Sequence, residues 1–196
     1  FHPERYTDRL PGRGAILLGS LFRAPFDDPA VVDAVLRAAK ARGLLIFADT
    51  KLPNYRFLTL SDLAPSLPLI DFITPNEDEA RHFTGKTSPE EAADVFLSYG
   101  VKNAVVKLGA RGCFFKSRET SFFLPAHRID AADATGAGDN FIAGLASEIL
   151  RGEPVREALR FAGACGAICS TATGANTALR NREQVEEFLR TVPLAE

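Results

Sequence analysis

The chain has 196 residues, 46% hydrophobic and 24% charged, with a formal net charge of −2. That is enough for one substantial core. The charge speaks against nucleic acid or an anionic membrane surface as the main partner, and no apolar run approaches the ~20 residues of a bilayer span.

In chain order, 15–19 is a short apolar run that reads as a buried strand. Asp28 before Pro29 marks an N-cap and first helical position, and that helix runs to Arg42 with Gly43 as its stop. A second buried strand over 44–48 ends at Asp49, and a short helix is expected over Ser61–Leu67. A third strand over 69–73 leads to Thr74-Pro75-Asn76, and a helix from Glu77 to Thr84 stops at Gly85. Ser88-Pro89 opens another helix reaching Tyr99, and 103–108 is a fourth strand. The runs 113–116 and 121–124 pair as a hairpin across 117–120. Three helices finish the chain, over about 137–151, 154–173 and 182–191. Strands alternating with helices imply an α/β fold with a mainly parallel sheet, read here as a single domain over 1–196.

Cys113, Cys165 and Cys169 are an odd, sparse set with no disulfide framework, which fits a reducing cytoplasm. Cys165 and Cys169 lie four apart amid small apolar residues and read as buried helix positions rather than metal ligands. His2, His82 and His127 show no ligand spacing. The chain has no methionine, so Phe1 is not expected to be the native start.

The stretch Asp133-Ala134-Thr135-Gly136-Ala137-Gly138-Asp139-Asn140-Phe141 carries the chemistry. Small residues let the backbone turn tightly, and an apolar helix follows, so the turn lies at a helix N-terminus, where unpaired N–H groups favour an anion. A carboxylate beside an anion is a like-charge conflict unless Asp139 has work to do, and taking a proton from an attacking hydroxyl is one such task. Glycine-rich turns opening helices are common, and Asp is a routine first-turn residue. The two glycines alone therefore decide nothing; the nine-residue string is far more specific.

At these residues the sequence resembles the phosphofructokinase-B family, the ribokinase-like sugar and nucleoside kinases. The resemblance implies a three-layer α/β/α fold, with the backbone of Gly136, Ala137 and Gly138 as an anion hole and Asp139 as the catalytic base. It implies ATP and Mg²⁺ as cofactors. Asn76 and Glu79 of the N-x-x-E element would lie near the magnesium–phosphate centre, Glu79 acting through water. The bland alternative is an N-cap Asn76 with acidic first-turn residues. Lys107, Gly109 and Gly112 match the family's strand-end segment for the nucleotide phosphates and ribose, and Gly174-Ala175 its loop beside adenine. The resemblance extends to a monovalent cation, K⁺, near Asp133, Thr135 and the Gly174 loop.

Gly163 stands where many relatives carry a side chain, often Asn, against the adenine. Lys51 and Arg56 are open between phosphate contacts and solvated surface residues. The family usually begins with roughly another third of chain, carrying the first βαβ units, a lid sheet and the sugar grip. The fold is therefore expected to be incomplete at its N-terminus, and turnover poor. The implied function is ATP-dependent phosphorylation of a sugar or nucleoside hydroxyl by a cytoplasmic enzyme, with no nucleic acid or membrane partner and a homodimer left open. The alternative is a truncated or degenerate relative that binds nucleotide or a partner without catalysis. A hydroxymethylpyrimidine or pyridoxal kinase is a third, less well matched, option.

Overall fold

The computed structural model describes residues 2–175 and 177–195; Phe1, on which the reading of the native start bears, lies outside the described residues, as do Asn176 and Glu196. The elements are α1 (Glu4–Thr7), β1 (Ala15–Leu21), α2 (Pro29–Ala41), β2 (Leu45–Thr50), β3 (Phe72–Ile73), α3 (Glu77–Thr84), α4 (Pro89–Ser98), β4 (Asn103–Lys107), β5 (Cys113–Ser117), β6 (Ser121–Leu124), α5 (Ala137–Arg151), α6 (Val155–Ser170) and α7 (Arg182–Thr191). Short 3₁₀ turns occupy Leu67–Leu69 and Gly109–Arg111. The six strands form one sheet in sequence order. β1 to β4 are parallel, with Phe47 opposite Phe72 and Ile73 opposite Ala104. Parallel neighbours need a crossover between them: α2 supplies it between β1 and β2 and α3 with α4 between β3 and β4, whereas turns and the Leu67–Leu69 3₁₀ segment link β2 to β3.

The chain divides into two compact units, Phe1–Lys107 with Phe114–Phe122, and Leu108–Cys113 with Phe123–Glu196. In the first, β2 is buried almost throughout, as an interior parallel strand must be. Ile46, Phe47, Ile73, Phe96 and Val105 are fully buried around it, and the Phe47 and Phe72 rings stack at 4.9 Å. In the second, Phe161, Ala164, Cys165, Ile168 and Val185 form the core between α6 and α7. α5 packs on α6, and Gly144 permits it: a Cβ there would lie 2.9 Å from Cys165 Sγ. All three cysteines are buried and free, and burial pushes the Cys113 and Cys165 thiols up to about 12.

Local signals set most boundaries. Asp28 caps α2 through the Ala30 N–H, Ser88 caps α4 through Glu91, and Asn181 caps α7 through Gln184. Three expectations differ. The helix over Ser61–Leu67 is absent: Pro65 and Pro68 cannot donate within a helix, and the segment makes successive three-residue turns such as Ser66 N–H to Leu63 O. The third strand shortens to Phe72–Ile73 because Leu69 belongs to the 3₁₀ turn. α6 stops at Ser170, whose carbonyl accepts the Ala132 and Asp133 N–H groups instead of continuing the helix.

Candidate functional site

Ligands of open α/β sheets bind at the carboxyl ends of the strands, and in the first unit those ends carry a buried polar cluster. Asp49, at the end of β2, is fully buried. Its Oδ1 accepts from Lys107 Nζ at 2.5 Å and Thr74 Oγ1 at 2.9 Å, and its Oδ2 from Lys51 Nζ at 3.1 Å. Lys107 closes β4, and its N–H donates to Pro75 O at 2.8 Å. Asn76 and Glu79 form a capping box on α3: Asn76 Oδ1 accepts the Glu79 N–H and Glu79 Oε2 accepts the Asn76 N–H, each at 2.9 Å. Thr50 Oγ1 donates to the same Oε2 at 2.8 Å. Glu79 is thus buried and bonded on one oxygen, while Oε1 has no such bond among the described residues. The structural role of Asn76 and Glu79 is present, and it leaves that oxygen for a ligand. Arg56 is exposed and pairs with Asp28 at 2.7 Å.

In the second unit, the turn before α5 is open. Gly136 is the N-cap, at φ 80°, and no side chain caps the helix. The Ala137 N–H donates to Ala134 O at 3.1 Å; the N–H groups of Gly136, Gly138 and Asp139 have no acceptor among the described residues. Of the three amides expected in the anion hole, one is therefore committed to the turn and two are available, with Asp139's own beside them. The Asp139 side chain is exposed, in the first helical turn, without a hydrogen bond or ion pair among the described residues. Gly136 is demanded twice over, by its positive φ and because a Cβ there would lie 2.6 Å from Ala175 Cβ.

Asp133 ties the turn to the 171–175 loop. Its Oδ1 accepts from Thr135 Oγ1 at 2.7 Å and Thr135 N–H at 2.9 Å, and its Oδ2 from Gly174 N–H at 3.0 Å. The Thr135 hydroxyl and these two amides hold the carboxyl below the usual carboxylate range. Leu108 N–H to Gly112 O and Gly112 N–H to Gly109 O close the loop after β4. Gly163 lies on α6 with open space where a Cβ would stand. Sequence reasoning passed over Asn140 and Cys169. Asn140 Nδ2 reaches Gly136 O, Ala175 O and Cys169 Sγ. No local pattern marks residues that meet only through packing of α5 on α6. Among the described residues no group of three or more His, Cys, Asp or Glu side chains is placed to hold a metal ion.

A parallel sheet with helices in its crossovers defines an α/β protein, and the open N-terminus of α5 is a place suited to an anion. The pfkB family carbohydrate kinase model matches residues 15–182, and the chain belongs to that family. It is 38% identical over 128 residues to the ribokinase of Haemophilus influenzae, covering 63% of this chain and 42% of that protein. The Thermotoga maritima ribokinase structure superimposes with a TM-score of 0.73 at 30% identity, covering 91% of this chain and 57% of that one. The aminoimidazole riboside kinase of Salmonella enterica, solved with aminoimidazole riboside and an ATP analogue, gives 0.77 at 28% identity over 93% and 65%. The fold is ribokinase-like, with a sheet smaller than that of the full-length relatives. The chain spans roughly half the length of the proteins it matches.

Proposed function

We propose that the protein transfers the γ-phosphoryl group of ATP to a hydroxyl of a sugar or nucleoside, with Asp139 as the base. The observation that carries this is the first turn of α5, where unbonded amides stand beside an exposed, unpartnered carboxylate. Aspartate in a first helical turn is ordinarily favourable. Holding a second anion ~4 Å away costs about 4 kcal/mol at an effective dielectric constant of ~20. Uptake of the acceptor's proton by the carboxylate offsets that cost. MgATP, when bound, supplies the phosphoryl group and the metal charge. The Gly136 and Gly138 amides hold the phosphate oxygens, and Asp139 orients the hydroxyl and receives its proton.

Mg²⁺ takes oxygen ligands and keeps several waters; Glu79 Oε1 fits a contact through one of them. Lys107, held by Asp49, is a phosphate partner, and Gly109 and Gly112 shape the loop that follows. Gly174 and Ala175 flank the base. A K⁺ at Asp133 and Thr135 would share that carboxylate with three donors already in place, and potassium dependence of turnover is its readout. No helix among the described residues is long and apolar enough to cross a membrane; buried free thiols suit a reducing cytoplasm.

The open space at Gly163 favours a second reading, nucleotide binding without transfer. Calorimetric titration with MgATP beside a coupled assay over a sugar and nucleoside panel separates the two. Binding with turnover of at least one acceptor supports transfer, and binding with none overturns it.

A further inference from the structure

Asn140 follows Asp139 on α5, and its side chain points back to the turn and across to the 171–175 loop. Nδ2 lies 2.9 Å from Gly136 O and 3.0 Å from Ala175 O. Both oxygens are carbonyls and can only accept, so the amide nitrogen, with its two hydrogens, must face them. Cys169 Sγ, at 3.3 Å, is a weaker third contact, and it lies 3.2 Å from the same Ala175 carbonyl. Two further features join the same two segments. Gly136 packs so closely on Ala175 that no side chain fits between them, and Asp133 Oδ2 accepts the Gly174 N–H. The turn and the loop are therefore held at a fixed separation by an amide that belongs to neither.

We infer that Asn140 is a positioning residue that fixes the distance between the phosphate end of the nucleotide site, at 136–138, and its base end, at 174–175. The inference rests on the nucleotide reading above. Asn140 touches no ligand in this scheme; it acts through Gly136 and Ala175. A ligand that spans both ends, such as ATP, depends on their spacing, whereas a ligand that meets one end only does not. Preorganisation of this kind lowers the ordering cost of binding.

The test compares three probes on the full chain: MgATP, inorganic tripolyphosphate and adenosine. The variants are Asn140→Leu, which keeps the shape and charge but removes both donors, and Asn140→Ala, which relieves any overpacking. Binding is measured well below each variant's unfolding temperature, with exchange of the Gly174 amide followed in parallel. The expected result is a roughly tenfold rise in the MgATP Kd, less than about threefold change for either single-end probe, and faster Gly174 exchange. Equal weakening of all three probes would mean a general structural role and would overturn the inference. So would wild-type-like MgATP affinity in both variants. A wild-type chain that does not bind MgATP would sink the functional proposal and this inference together; wild-type binding with unmoved variants sinks the inference alone.

Discussion

The two polar regions of this molecule are built on opposite terms. At the strand ends of the first unit, Thr74 and Lys107 donate to Asp49 and Thr50 donates to Glu79, and Asp49, Thr50 and Thr74 are fully buried. Before α5 in the second unit, amide groups and a carboxylate stand without partners among the described residues. Buried polar groups must be satisfied or the fold suffers; exposed ones are satisfied by water and remain available. Groups of the first kind hold geometry, and groups of the second kind are open to the ligand proposed above. Substitutions in the first cluster should therefore cost stability before they cost function, and substitutions at Asp139 the reverse.

The largest expected effect on stability is at Asp49. Asp49→Ala leaves Lys107, only 14% exposed, without its carboxylate; breaking such a pair costs about 3–5 kcal/mol. Chemical denaturation measures it, and a midpoint unchanged from wild type would break the contrast between the regions. Gly136→Ala is next. The left-handed backbone there costs a non-glycine residue about 1–2 kcal/mol, and the clash with Ala175 adds to it. This variant sharpens the contrast, because nucleotide affinity should fall together with stability; a loss of stability alone would remove the turn from the binding site.

The smallest effect is a pH dependence. Burial acts to raise the pKa of Asp71, but hydrogen bonds from Lys102 and Lys40 and the Ile46 N–H outweigh it and leave it lowered. A carboxylate lowered on folding contributes stability above its unfolded value and loses it as pH falls through the folded one. Stability should therefore decline below the ordinary carboxylate range, and Asp71→Asn should flatten that decline. An unaltered acid limb in the variant would show that Asp71 plays no part in it.

Much of this was legible in the sequence because it is local. The limits of α3, α5 and α7 follow from Asn76 and Gly85, from Gly136 and Gly152, and from Asn181. The open turn before α5 follows from its small residues. What escaped depends on tertiary partners. Pro65 and Pro68 override an apolar pattern that suggests a helix, and the end of α6 is set by amides from 132–133. The Asn140 contact to Cys169 depends on the close packing of α5 on α6 that Gly144 permits. The sequence offered cap and water-mediated ligand as rival readings at Asn76 and Glu79; that the cap and Thr50 share one Glu79 oxygen is a tertiary fact.

The most direct measurement is turnover of Asp139→Asn against wild type on an acceptor that wild type phosphorylates, with MgATP affinity measured on the same samples. The account predicts a loss of about 10²–10⁴-fold in turnover, an unchanged unfolding midpoint and a nucleotide Kd within a few-fold of wild type. Near-normal turnover in the variant would contradict it.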